Sequence, residues 1–141
     1  SLYWNDDRDI VDTFVLKTIK KFSPENGANQ ELVPEYRDME DQEYAIRLFR
    51  RTIMNDEYYR SLIGRCVKNW EFNRLAYMDV IIMQIALAEI LSFPNIPVSV
   101  TLNEYVEIAK LYSTPKSGSF INGTLDGIVK ALKEDNKLTK N

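Results

Sequence analysis

Between Val80 and Leu91 the chain is apolar at every position except Gln84 and Glu89. A helix made from such a run has almost no polar face, and a helix that is hydrophobic all round is buried on most sides. The run is too short to cross a bilayer, which takes about 20 consecutive apolar residues. The segment that contains it, Leu75 to Phe93, is therefore predicted to be a central helix with the other elements packed around it. Pro94 ends it, because proline cannot continue a helix.

The flanking segments carry the helical spacing that would cover such a centre. Asp6 to Phe22 has an apolar stripe of Ile10, Val11, Phe14, Val15, Leu16 and Ile19. Ser23 to Gly27 stops it, and residues 23–38 read as a linker with Pro24 and Pro34. Glu40 to Met54 places Tyr44, Ala45, Leu48, Phe49 and Ile53 inward. Asp56 to Trp70 puts Tyr59, Leu62, Ile63, Cys66, Val67 and Trp70 on one side. Thr101 and Glu104 have the spacing of a capping box, and Val100 can staple onto Tyr105, so a helix is predicted to start there and run to Tyr112. Ser113 to Gly118 reads as a loop. Ser117 or Ser119 then opens a last helix with Phe120, Ile121, Leu125, Ile128, Val129 and Leu132 apolar. Gly123 lies inside it, where glycine costs about 1 kcal/mol against alanine; a close helix–helix approach would explain it.

No strand pattern is present: Asn26-Gly27 follows a helix and Asn122-Gly123 lies within one, neither flanked by alternating hydrophobics. The predicted fold is all-α, a compact bundle of five to seven helices around the central apolar helix. Residues 1–38 form an N-terminal helix and linker. Residues 39–133 form a helical domain packed with it as one unit, and residues 134–141 a polar tail predicted to fray.

Bulk properties narrow the chemistry. A chain of 141 residues fits one domain. Net charge −3 and a pI near 5.1 argue against coating nucleic acid by bulk electrostatics. Without histidine, His-based acid–base catalysis and His metal sites are excluded. A single cysteine allows no intrachain disulfide and no Cys-rich zinc site. Cys66, among Leu62, Ile63 and Val67, is predicted to be a small buried hydrophobe, and one thiol suits a reducing cytoplasm. Glu104 and Glu107 lie three apart, but a di-metal carboxylate site wants Glu-x-x-His partners. Lys116-Ser-Gly118 lacks the glycine spacing and preceding strand of a phosphate-binding loop. No catalytic residue, metal or cofactor is predicted, and the N-terminal residues form no signal peptide. The start at Ser1 rather than Met suggests a piece of a longer protein.

The remaining candidates are surfaces. Arg47, Arg50 and Arg51 lie near one another on one helix face. Such a cluster is ordinarily a solvated face paired with nearby acids, here Glu43 and Asp56; the alternative is contact with nucleic-acid phosphates. Glu89 interrupts the apolar helix near its C-terminal end, where it either reaches solvent or faces a groove and accepts a basic partner. Asp126, in mid-helix, poses the same choice.

Three motifs carry a resemblance. Asn95 to Lys110 (Asn-Ile-Pro-Val-Ser-Val-Thr-Leu-Asn-Glu-Tyr-Val-Glu-Ile-Ala-Lys) resembles the NusB pattern of Ile-Pro, Val, then Asn-Glu-x-Val-Glu-Leu-Ala-Lys. Ser119 to Asp126 (Ser-Phe-Ile-Asn-Gly-Thr-Leu-Asp) resembles its Phe-Val-Asn-Gly-Val-Leu-Asp, and Ile85 to Ile90 its Leu-Ala-x-Tyr-Glu-Leu. The order and spacing are the family's, and the resemblance is specific from about Leu75 to Leu132. It implies an all-helical, non-catalytic antitermination factor, here the C-terminal domain of a longer NusB-like protein. Such a protein pairs with the ribosomal protein NusE, binds boxA RNA of ribosomal RNA transcripts and acts on RNA polymerase through that complex, in the cytoplasm. By resemblance, Glu89 and Asp126 lie at the NusE surface, and Lys116 to Phe120 near the RNA path. Asn103 and Asn122 are expected to bond loop or helix backbone. Some family members are dimers when free. The family's arginine-rich N-terminal helix has no counterpart here, which leaves RNA contact to a preceding part or to other residues, and its basic residues of the central helix stand here as Val80 and Gln84. Two further readings are an RNA-targeting domain of a ribosomal RNA cytosine methyltransferase and a protein-only adaptor.

Overall fold

Five helices account for most of what the computed structural model describes, which is residues 39–67, 77–112 and 115–141. They are α1 (Met39–Met54), α2 (Asp56–Cys66), α3 (Tyr77–Ser92), α4 (Val98–Tyr112) and α5 (Pro115–Glu134). The helix and linker predicted for residues 1–38, and Trp70, lie outside the described residues. Among the described residues there is no strand.

The apolar run occupies the centre, as its lack of a polar face requires. Every residue of α3 from Asp79 to Ile90 is buried, and α3 packs against each of the other four helices. α1 contributes Ala45 and Leu48, α2 Tyr59, Leu62 and Ile63, α4 Tyr105, Ile108 and Ala109, and α5 Ile121, Leu125, Ile128 and Leu132. Tyr44, Phe49 and Ile53 pack against this core while remaining half-buried. No described helix is long and apolar enough to cross a membrane.

Several local expectations give way to tertiary contacts. α4 begins at Val98, three residues before the capping-box threonine. The Pro97 carbonyl accepts the first helical bonds, from Val100 N at 3.1 Å and Thr101 N at 3.3 Å. Thr101 is thus inside the first turn, and its hydroxyl is spent on Glu89 instead of capping the helix. Val100, also inside the helix and exposed, does not hold the position before the cap that a staple needs. α5 likewise begins earlier than predicted: Pro115 takes the first helical position, where its fixed φ and missing N–H are no handicap. Residues 115–118, predicted as loop, are its first turn, and Ser117 donates to Asp79 Oδ2 at 3.1 Å.

Cys66 is exposed, contrary to the buried role predicted for it. α2 ends there and the chain turns extended at Val67, which takes the buried position. Partial burial still pushes the Cys66 thiol pKa up.

The close helix approach occurs at Gly118, not Gly123. A Cβ on Gly118 would meet Lys110 Cγ at 3.3 Å and Val106 Cγ1 at 3.5 Å, whereas one on Gly123 would meet nothing within 4 Å. Gly123→Ala is therefore expected to stabilise the fold by about 0.5–1 kcal/mol, by restricting the unfolded chain and favouring helix. Gly118→Ala should gain less or lose, and paired thermal melts check the order.

The tail is held. Lys137 N bonds Leu132 O at 2.8 Å and Asn136 N bonds Lys133 O at 3.1 Å, the two bonds of a Schellman motif. Asn136 supplies the left-handed residue, with φ 58°, which asparagine tolerates better than most. Leu138 is then buried, Asn141 O accepts from Val98 N at 2.8 Å, and Lys140 Nζ donates to Phe93 O at 2.7 Å. The tail predicted to fray thus seals the α3–α4 turn. Removing residues 138–141 should cost about 3–5 kcal/mol, the burial of one leucine plus two hydrogen bonds, and should raise the exchange rate of the Val98 amide hydrogen.

Candidate interaction surfaces

Glu89 is fully buried, at 0% exposure. A carboxylate in such a place needs donors, and two helices supply them. The Tyr44 hydroxyl, from α1, donates to Oε2. The Thr101 hydroxyl, from α4, donates to Oε1 at 2.8 Å. Burial first, then the charge of Glu89, pushes the Tyr44 phenol pKa far above its ordinary value; the same two causes raise Tyr105. Both phenols therefore stay protonated across the physiological range. The surface position expected for Glu89 is not where the structure puts it: the carboxylate clasps α1, α3 and α4 together from inside.

Beside this clasp lie the buried Phe93 and two cations. Tyr44 lies edge-on to the Phe93 ring with centroids 5.0 Å apart. The Arg47 guanidinium sits 4.7 Å from the Phe93 centroid and donates to Ser92 O at 2.8 Å. Lys140 donates to the next carbonyl, Phe93 O. Two cations on the last carbonyls of α3 complement the negative end of its dipole. Burial pushes the Lys140 ammonium pKa down, and the nearby Glu89 charge opposes that shift.

The three arginines of α1 do share one face, but their predicted partners are engaged elsewhere or stand apart. Asp56 pairs with Arg60 at 3.5 Å and accepts from Gln84 Nε2. Among the described residues Arg47, Arg50 and Arg51 form no ion pair with Glu43 or Asp56. They line an open groove of about 550 Å³ together with Glu43, Ile46 and Met54. Gln84 and Val80 on α3 are both buried.

On α5, Asp126 is half-exposed and pairs with Lys130 at 3.1 Å. Ser119, Asn122 and Gly123 are exposed on the same helical face, one and two turns earlier. Lys116 is exposed on the first turn, while Phe120 is half-buried against the core. Asn103 and Asn122, expected to bond backbone, are exposed and make no side-chain hydrogen bond among the described residues. Glu107 is a solvated charge paired with Lys110 at 3.4 Å. No group of three or more metal-ligating side chains occurs among the described residues.

Sequence reasoning missed Tyr44, Thr101, Phe93 and Lys140 as neighbours of Glu89. Only Glu89 itself signalled the cluster, as the one acid in the apolar run from Val80 to Leu91.

What emerges among the described residues is an all-helical module with arginines, lysines and small polar residues exposed on its helix faces, beside a few exposed apolar side chains such as Met54 and Leu111. The chain belongs to the NusB family, which it matches over residues 8–130. It is 38% identical over 108 residues to the transcription antitermination protein NusB of Salinibacter ruber, covering 77% of this chain and 68% of that one. It is 37% identical over 103 residues to the same-named protein of Chloroherpeton thalassium, covering 73% of this chain and 49% of that longer one. Among solved structures, T. maritima NusB superposes with a TM-score of 0.65 at 31% identity, covering 89% of this chain and 90% of that one. A chain from the crystal structure of antitermination factors NusB and NusE in complex with dsRNA shares the fold, with a TM-score of 0.62 at 23% identity, covering 93% of this chain and 98% of that one.

Proposed function

We propose that this chain is a transcription antitermination factor that works by binding. It pairs with NusE, binds the boxA element of ribosomal RNA transcripts, and reaches RNA polymerase through that complex. The observation that carries the reading is the 38% identity over 108 residues to an antitermination protein. No catalytic step and no cofactor enter it, and its place of action is the cytoplasm.

Asp126 is the exposed acidic contact for NusE. Its present partner, Lys130, is a surface ion pair, and such pairs are weak enough to be exchanged. Open space at Gly123 lets a partner's backbone come close to the same face. Glu89 contributes from beneath the surface. RNA is met by phosphate contacts from Arg47, Arg50 and Arg51 and from Lys116, with Phe120 buttressing that end of α5. At net charge −3 the attraction is local, which favours a short RNA element over non-specific coating.

Calorimetric titration of the protein with its cognate NusE, with and without boxA RNA, tests the reading. NusE binding strengthened by RNA is expected. The RNA affinity should fall steeply with salt, and the double variant Arg50→Ala, Arg51→Ala should lower the logarithmic salt slope by about 2, one per lost phosphate contact. No binding to either component overturns the reading.

A further inference from the structure

Glu89's neighbours are unequal. Thr101 and Tyr105 are wholly buried, whereas Tyr44 is only partly so. Tyr44 is thus the bonded neighbour on the side of the carboxylate that faces outward. Its ring lies edge-on to the buried Phe93 at 5.0 Å, and Phe93 in turn carries the exposed Arg47. Lys140, also partly buried, lies close enough to feel the Glu89 charge. Of the two described hydroxyls that bond this costly buried acid, only that of Tyr44 belongs to a side chain that reaches solvent, at a place already accommodating cations.

We propose that Tyr44 is a gate over Glu89: swung outward, it exposes Oε2 to a basic side chain of the protein partner, which replaces the phenol. The proposal rests on the reading of Glu89 as a contact for NusE. Closed, the carboxylate takes a charge-assisted bond from the phenol; open, it takes one from the partner's cation, so the exchange conserves the bond. The apparent affinity of the partner is then reduced by the fraction of molecules in which the gate stands closed.

Tyr44→Phe keeps the ring and its packing on Phe93 and deletes only the closing hydrogen bond. Loss of a bond to a charged group shifts the opening equilibrium about tenfold. Association with cognate NusE, followed by stopped flow and calorimetry on the full chain, should become up to about tenfold faster and tighter, while the melting temperature falls. A purely structural tyrosine would not improve binding as stability drops. Glu89→Gln retains volume and hydrogen bonding but offers no charge, and should weaken binding about tenfold. Circular dichroism melts establish that both variants are folded at the titration temperature; should Glu89→Gln not be, Tyr44→Phe alone decides. Unchanged or weaker binding by Tyr44→Phe, with loss in Glu89→Gln, overturns the gate and leaves Glu89 as a contact. Full binding by Glu89→Gln overturns the contact and the gate together.

Discussion

Glu89→Lys is expected to lower stability by about 3–5 kcal/mol, the cost of leaving a buried charge uncompensated. The wild-type carboxylate accepts from Tyr44 and Thr101. A lysine there can accept from neither, and it brings an ammonium into a site where Lys140 already carries one. Thermal or urea unfolding should show the loss directly, as a melting temperature lower by roughly 10 °C or more. Were Glu89 a surface residue, the same substitution would stay within about 0.5 kcal/mol. A charge reversal here therefore disrupts the fold before it reports on any partner. At Asp126, which is half-exposed and only surface-paired, Asp126→Lys should leave helicity intact and report on binding alone.

Ile82→Ala should cost about 2–5 kcal/mol, because it removes buried methyl and methylene groups and leaves a cavity. Ile82 has 0% exposure and lies on α3, the helix against which the other four pack, and a close-packed interior relaxes only partly around such a gap. The control is Ile46→Ala on α1, the same chemical change at a position 46% exposed. That variant should change stability by less than about 0.5 kcal/mol, since the side chain gives up little burial. Denaturant midpoints for the pair measure the difference. Similar losses at both sites would mean that α3 is not the centre of the bundle.

The central helix was legible because its evidence is local. An apolar run with only Gln84 and Glu89 as interruptions can go nowhere but inside, and Asp79 to Ile90 are buried without exception. The apolar spacing of Tyr44, Ala45, Leu48, Phe49 and Ile53 likewise placed the inner face of α1. Helix starts were less legible. Thr101 and Glu104 have capping-box spacing, yet the hydroxyl bonds a carboxylate on another helix. The cap signal is worth about 1 kcal/mol, and satisfying a buried carboxylate outweighs it. Gly123 and Gly118 both sit inside α5, and nothing local distinguishes the one that faces a neighbouring helix from the one that faces open space.

By itself, then, the sequence determined the all-α class, the buried centre, the inner faces of the helices around it and, through its motifs, the family. These follow from apolar periodicity and residue order, which are properties of neighbours along the chain. The tertiary structure alone decided that Glu89 is an internal clasp, that Cys66 is exposed and that the tail is docked. The bonds concerned join residues 12, 45 and 47 positions apart, from Thr101 to Glu89, Tyr44 to Glu89 and Lys140 to Phe93. A polar side chain settles wherever the assembled bundle offers it a partner, and that partner exists only once the helices have packed.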